Sequence, residues 1–178
     1  KNLLSHNDEN SFYDKKMKLS LTSKEGKGKF LKHICALSNS NPTNNSYIII
    51  GIEDEENKII GVDFFDDSKI QNLVNAYLKN PPKITYENVP FPSLPRHKVI
   101  GLVTIYYNSN ITSLLKNAWK YRKDTIFYRR GSNSMPASKN FELRDTNKHT
   151  VDAIEKNANN NIELTLDGVF DFFNNHKP

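Results

Sequence analysis

The sequence predicts an α/β domain of the α+β kind: a mixed, mostly antiparallel sheet packed with two main helices. Three observations predict it. Two stretches, 23–40 and 66–82, carry apolar residues at three- and four-residue spacing, the period of a helix with one buried face. Several others alternate or run apolar over short spans, as strands do. The order of these segments is strand, helix, strand hairpin, helix, strands and a closing helix, with no internal repeat.

Taken along the chain, residues 1–14 are polar and without period, which predicts a flexible lead-in. KKMKLSLT (15–22) alternates Met17, Leu19 and Leu21 against Lys16, Lys18 and Ser20, a half-buried strand. In the first helix Ser23 stands as the cap, Phe30, Leu31, Ile34 and Leu37 form the buried face, and Gly26 and Gly28 weaken the first turn, so a late start is expected. YIIIGIED (47–54) is a continuous apolar run, expected as a central strand covered on both faces, and KIIGVDF (58–64) should return as its hairpin partner. The second helix buries Ile70, Leu73, Val74, Tyr77 and Leu78, is capped by Asp67 or Ser68, and stops at Pro81 and Pro82. Strands follow at 83–91, 97–108 and 124–132, and 138–148 reads as a short helix capped by Ser138. The expected organisation is a lead-in over 1–14, a domain over 15–148, and an extension over 149–178. That extension is Asn-rich and then carries Leu164, Leu166, Val169, Phe170, Phe172 and Phe173, a cluster suited to docking or to contact with a protein partner or a second copy.

Composition narrows the function classes. With 178 residues and 37% hydrophobic residues, the chain has material for one domain with a full core and appendages. No apolar run is long enough for a membrane helix, and no basic-then-apolar signal opens the chain; Lys1 at the start fits a trimmed or processed chain. The single cysteine, Cys35, excludes an internal disulfide and a cysteine-rich zinc site and fits a reducing cytoplasm, the expected location. It falls within the helical pattern and reads as a small core residue. No Gly-rich phosphate loop with its Lys-Ser/Thr is present, and no cofactor is expected.

The net charge of +5 permits nucleic-acid binding without demanding it. Its distribution is more informative. Segment 114–134 interleaves Lys116, Lys120, Arg122, Lys123, Arg129 and Arg130 with Trp119, Tyr121, Phe127 and Tyr128, an arrangement that can stack bases while cations hold phosphates. A twisted strand pair with a charged outer face would look the same. Within it, FYRRGSNSMPAS (127–138) puts two arginines at a strand end beside a glycine turn. Arg129 and Arg130 must point to opposite faces, so Arg129 is expected to be held by the fold and Arg130, with Lys120 and Arg122, to reach phosphates. Ser132, Asn133 and Ser134 would add hydroxyl, amide and backbone N–H donors.

Four pieces in order, Cys35-Ala36-Leu37-Ser38-Asn39, Ile50-Gly51-Ile52-Glu53-Asp54, Gly61, and Tyr128-Arg129-Arg130-Gly131-Ser132, resemble the Schlafen-type AlbA domain over roughly Lys15 to Leu143. The usual form there is a helix ending in Cys/Ser-Ala-Phe-Ala-Asn, a strand ending in Ile-Gly-Val-x-Asp, a hairpin to a second Gly, and a late Tyr-x-Arg-x-Gly-Ser. The resemblance implies an α/β fold and nucleic-acid association, with endoribonuclease activity in some animal relatives. Nuclease members carry Glu-x-x-x-x-Glu-Phe-Lys on the first strand and an aspartate after Ile-Gly-Val. Only Asp54 has a clear counterpart on this reading; Lys18 falls near the second glutamate, and Glu9 and Asp14 stand out of frame. Hydrolysis assisted by a hard dication needs several oxygen ligands. The expectation is therefore a non-catalytic nucleic-acid-binding module, for DNA or RNA, with no catalytic residue and no metal ligand set. Its contact residues are Lys18, Lys120, Arg122, Lys123, Arg129, Arg130, Ser132, Asn133 and Ser134. A protein-interaction or structural role for a degenerate member is the alternative, and a divergent metal-dependent nuclease comes third.

Overall fold

The computed structural model describes residues 12–53, 58–138, 140–145 and 148. The chain divides into two compact units, Lys1–Thr146 and Asn147–Pro178, and every element named here belongs to the first. In chain order the elements are β1 (Tyr13–Lys16), α1 (Lys24–Ser40), β2 (Ser46–Ile50), α2 (Ser68–Tyr77), β3 (Leu78–Lys79), β4 (Ile84–Val89), β5 (Ile100–Ile105), β6 (Ser113–Leu114), β7 (Phe127–Arg130) and β8 (Asn133–Pro136). Strands β1, β2, β5 and β4 form one sheet in that spatial order; β3 pairs with β6, and β7 with β8. Only the β1–β2 pair is parallel. The fold is α+β, with two helices and mostly antiparallel strands among the described residues, as the periodicities imply.

The apolar run of β2 is covered on both faces. Ile48 and Ile50 join α1, α2, Val103, Ile105 and Phe127 in the main core. Ile49 faces the other way, into a smaller cluster with Ile52 and Ile100 that Phe91 and Leu94 cover. Helix α1 buries Phe30, Leu31, Ile34 and Leu37, the face its spacing predicts, and Cys35 lies fully buried among them. Burial pushes the Cys35 thiol well above its ordinary range, so it is an inert core residue.

The C-terminal end of α1 carries polar side chains that fasten the rest of the chain. Asn39 donates from Nδ2 to the carbonyls of Thr112 and Phe127, each at 2.8 Å, and its Oδ1 accepts from the Thr112 N–H at 2.8 Å. Ser40 Oγ accepts from the Arg129 N–H at 2.7 Å. Buried amides and hydroxyls are tolerated only when bonded in this way. They fix β7 alongside the helix.

Several expectations are corrected. The first strand is Tyr13–Lys16 rather than 15–22, and Phe12, Tyr13 and Asp14 are buried rather than part of a loose lead-in. The segment 58–64 forms no continuous partner strand: it bridges only at Ile52–Ile59 and Val62–Val99, because after the Gly51–Gly61 approach the chain turns toward β5. Asp67 sits at the α2 N-cap without a side-chain bond; Asp66 instead accepts from the Ser68 N–H and hydroxyl. Residues 133–136, beyond the end of the last expected strand, are strand β8. No helix forms over 140–145: Phe141 N–H bonds back to Ser138 in a single turn. The residues of the EDEEN turn at 54–57 and of the extension 149–178 lie outside the described residues.

The two glycines of α1 do not delay the helix, which starts at Lys24 with Ser23 Oγ accepting from the Gly26 N–H at 3.0 Å. They are required by packing. A Cβ on Gly26 would overlap the Ser20 carbonyl, and one on Gly28 would stand 2.7 Å from Trp119 Cβ. Gly28→Ala should therefore destabilise the domain. The alanine's better helix propensity, about 1 kcal/mol, is outweighed by an overpacking cost of about 1–3 kcal/mol, and the Trp119 turn should shift. Urea unfolding and Trp119 fluorescence check this; a variant more stable than wild type with an unchanged emission spectrum would refute it.

Candidate functional site

Strand β1 lies at the edge of the sheet, with Asp14 beside Ile48 and Lys16 beside Ile50. That register turns both side chains toward α1, because Ile48 and Ile50 belong to the core on that face. Across from them, Arg129 of β7 is aimed inward. Its Nη1 donates to Asp14 Oδ1 at 3.1 Å and to Ser134 Oγ at 3.3 Å, and its Nη2 donates to the Tyr13 carbonyl at 3.3 Å. The side chains of Asp14 and Arg129 are 1% and 0% exposed, so this is a buried ion pair. Lys16 Nζ stands 2.8 Å from Asp14 Oδ2, and His33 Nδ1 stands 3.6 Å from the same oxygen and 3.3 Å from Ser134 Oγ.

Burial alone would raise the Asp14 pKa. The positive partners, His33 when protonated and Lys16 and Arg129 throughout, outweigh burial and hold the carboxyl below its ordinary range. His33 goes the other way. Its burial, helped by Lys16, Lys32 and Arg129 and opposed by Asp14, lowers its pKa to about 4, so it is neutral at pH 7. Both of its recorded neighbours face the same ring nitrogen, so Ser134, His33 and Asp14 do not have the geometry of a catalytic triad, in which the base uses its two nitrogens separately.

Against α1 at Gly28 packs an exposed aromatic turn. Ala118 and Tyr121 exchange backbone hydrogen bonds, and Trp119 between them takes the left-handed conformation, with φ of 53°. Trp119 is 39% exposed. Lys120 Nζ lies 4.3 Å and Lys29 Nζ 5.8 Å from the Trp119 ring centre. Tyr121 meets Trp119 edge-on on one side and Phe127 on the other, which ties the turn to the core. Lys29 is also paired with Glu25 at 2.7 Å on the exposed face of α1. The Lys32 pKa is lowered by partial burial and by Lys16, Arg129 and Lys120 around it, with Asp14 opposing.

The structure brings some of the expected contact residues together. Lys120 lies on Trp119; Lys18 lines a cleft with Asp14, Lys16, Lys29 and His33; and Ser134 backs the Arg129 guanidinium. Arg129 itself is corrected as a contact residue: it is buried under the cluster and engaged with Asp14. Arg122, Lys123, Arg130, Ser132 and Asn133 are exposed but share no described contact with the cluster. Arg130 pairs with Asn133 at the end of the hairpin, on the face opposite Arg129. The sequence reading missed Asp14, Lys16, Lys29, Lys32 and His33. For Asp14 a signal existed. With the strand at Tyr13–Lys16, the spacing Glu9 to Asp14 reproduces Glu-x-x-x-x-Glu, and Lys16 falls on its lysine, so Lys18 does not occupy the acid position.

Among the described residues no three His, Cys, Asp or Glu side chains gather. Asp14 is the carboxylate of the cluster, and nitrogens of Arg129 and Lys16 stand against its two oxygens. Glu9 and Asp54, named with it in the family pattern, lie outside the described residues. No helix among the described residues is long and apolar enough to cross a membrane.

A family model described as Schlafen, AlbA_2 matches residues 9–138, and one described as a domain of unknown function, DUF5929, matches residues 149–178. No curated protein matches. A solved structure, that of the DIP2311 protein from Corynebacterium diphtheriae, is similar with a TM-score of 0.47 and 14% identity over 71% of this chain. The chain spans 22% of the length of that protein.

Two outcomes follow from the buried pair. Arg129→Leu leaves Asp14 charged and buried without its guanidinium, and should cost about 3–5 kcal/mol, read as a fall in the urea midpoint; a loss under 1 kcal/mol would contradict the pairing. The second concerns acid. His33 binds its proton at about 4 in the folded chain against 6.5 ordinarily, so between these values the unfolded chain takes up protons first and stability falls as pH falls. The loss reaches at most about 3 kcal/mol, and Asp14 adds to it below its ordinary pKa. His33→Asn should flatten the slope between pH 6.5 and pH 4 in urea titrations; an equal slope in the variant would refute the assignment.

Proposed function

The chain belongs to the Schlafen, AlbA_2 family, and on that premise we propose that its domain is a non-catalytic nucleic-acid-binding module. The observation that carries this reading is the exposed Trp119 with Lys120 and Lys29 against its ring, Lys29 also walling the cleft that Lys16 and Lys18 line. A base stacked on an aromatic ring contributes about 1–3 kcal/mol whatever its identity, and lysines beside the ring are placed to hold the flanking phosphates. Arg122, Lys123, Arg130, Ser132 and Asn133 are exposed and extend the proposed contact surface along the loop and the hairpin end, with Ser134 nearer the centre.

The test is a titration of the full chain with single- and double-stranded DNA and RNA at two salt concentrations. Single strands should bind best, with an affinity that falls steeply with salt. Trp119→Ala should weaken binding roughly 5- to 100-fold, the span of one stacked base, with little change in salt slope. Arg130→Ala should weaken all sequences alike and lower the slope by about one unit, the mark of a phosphate contact. If no nucleic acid binds at low salt, the reading fails and a protein-interaction role takes its place.

A second reading, metal-dependent cleavage, is favoured by the Glu9–Asp14 spacing on the first strand. Incubation of structured RNA with Mg²⁺ or Mn²⁺ separates the two. The binding module leaves the RNA intact. Cleavage that disappears in Asp14→Asn, with the circular dichroism spectrum unchanged, would establish the second reading.

A further inference from the structure

We infer that the cleft between β1, segment 18–20 and the first half of α1 receives a phosphate dianion, the terminal phosphate of a bound nucleic-acid strand. This rests on the nucleic-acid reading above and names what one part of the surface takes. The cleft holds about 140 Å³ and is walled by Lys16, Lys18, Lys29, His33 and Ser20 over a floor of Phe30 and Ile48. That volume is well below the roughly 300–1,000 Å³ of pockets that enclose whole small molecules. It is ample for a phosphate group.

The charge around the cleft selects a dianion. Asp14 reaches the cleft, yet Arg129 and Lys16 answer its negative charge. Lys29 is shared with Glu25. Lys18 remains on the cleft wall, while Lys32 and Lys120 lie outside the lining, and none of the three makes an ion pair among the described residues. Lys32 is held among Lys16, Arg129 and Lys120, a crowding of like charge that an anion would relieve. A backbone phosphodiester brings one negative charge, whereas a terminal phosphate monoester brings about −1.5 to −2 at pH 7. Lys18 is exposed at the mouth and can donate directly, and Ser20 beside it adds a hydroxyl.

The experiment compares three oligonucleotides of one sequence, with a 5′-phosphate, a 3′-phosphate or hydroxyls at both ends, each titrated with the full chain. At least one phosphorylated strand should bind about tenfold more tightly than the hydroxyl strand, the effect of one good charge-assisted contact. Millimolar inorganic phosphate at constant ionic strength should erase that advantage. Lys18→Ala should bring the ratio of phosphorylated to hydroxyl binding close to one. Trp119→Ala should weaken both strands and leave the ratio as in wild type. Equal binding of all three strands to the wild-type chain overturns this inference and leaves the nucleic-acid reading standing. No binding of any strand overturns both.

Discussion

The ion pair between Asp14 and Arg129 is the constraint on which the rest of the domain depends. It joins two strands 115 residues apart in sequence, and both partners are almost completely buried. Burying two charges is expensive, and the cost is recovered only where geometry is good and the remaining hydrogen-bonding groups are satisfied. Here the guanidinium also reaches the Tyr13 carbonyl and the Ser134 hydroxyl. Strand β1 is short, lies at an edge and has β2 as its neighbour in the sheet. Four residues of parallel pairing are a weak attachment by themselves. The ion pair fixes the strand from the side, and in doing so sets Lys16 and the segment that carries Lys18 next to α1.

The second constraint is close approach along α1. Its N-terminal half carries glycines where neighbouring chain must come near, with Ser20 over Gly26 and Trp119 over Gly28. Its C-terminal half carries Ser38, Asn39 and Ser40, whose side chains bond to Thr112 and to the backbone of β7. One helix therefore positions three separate parts of the chain. The Asn39 and Ser40 clamp sets the height of β7 and hence of Arg129. Gly28 sets the distance of the Trp119 turn. The stacking ring and the buried ion pair are consequently held by the same rigid element, which is how a surface patch acquires fixed geometry.

Much of this was legible in the sequence, and what was not has physical reasons. The periodicity of α1 and α2 and the apolar run of β2 report burial directly, and they locate those elements well. The first strand was displaced because Met17, Leu19 and Leu21 alternate with polar residues just as a strand would, although Leu19 and Leu21 only pack against the core margin and Met17 is exposed. The true strand contains Asp14, Lys15 and Lys16, which no hydrophobic pattern would select; the burial of Asp14 depends on a partner more than a hundred residues away. Strand β8 was hidden for a related reason: it is a mostly exposed edge ending in proline, so it carries no core signal. The alternation of Arg129 and Arg130 was legible, because period two is a local property of any strand. Which of the two would be buried with an acid could be guessed, but not the acid.

That pair of arginines states the division of labour on this surface. Arg129 answers a carboxylate inside the fold and has no exposure left for a ligand. Arg130 sits one residue on, across the pleat and in water, where an exposed charge contributes little to stability and is available for long-range attraction. The lysines divide the same way: Lys16 stands against Asp14, while Lys18 and Lys120 lie outside it. Because the interior acid is answered from within, added surface positive charge is not consumed by the fold. Its cost is mutual repulsion, felt most by half-buried Lys32 between its cationic neighbours. A surface that carries such repulsion at rest gains more from an arriving polyanion than one whose charges are already paired, and this is the physical link between the buried architecture of the domain and its proposed ligand.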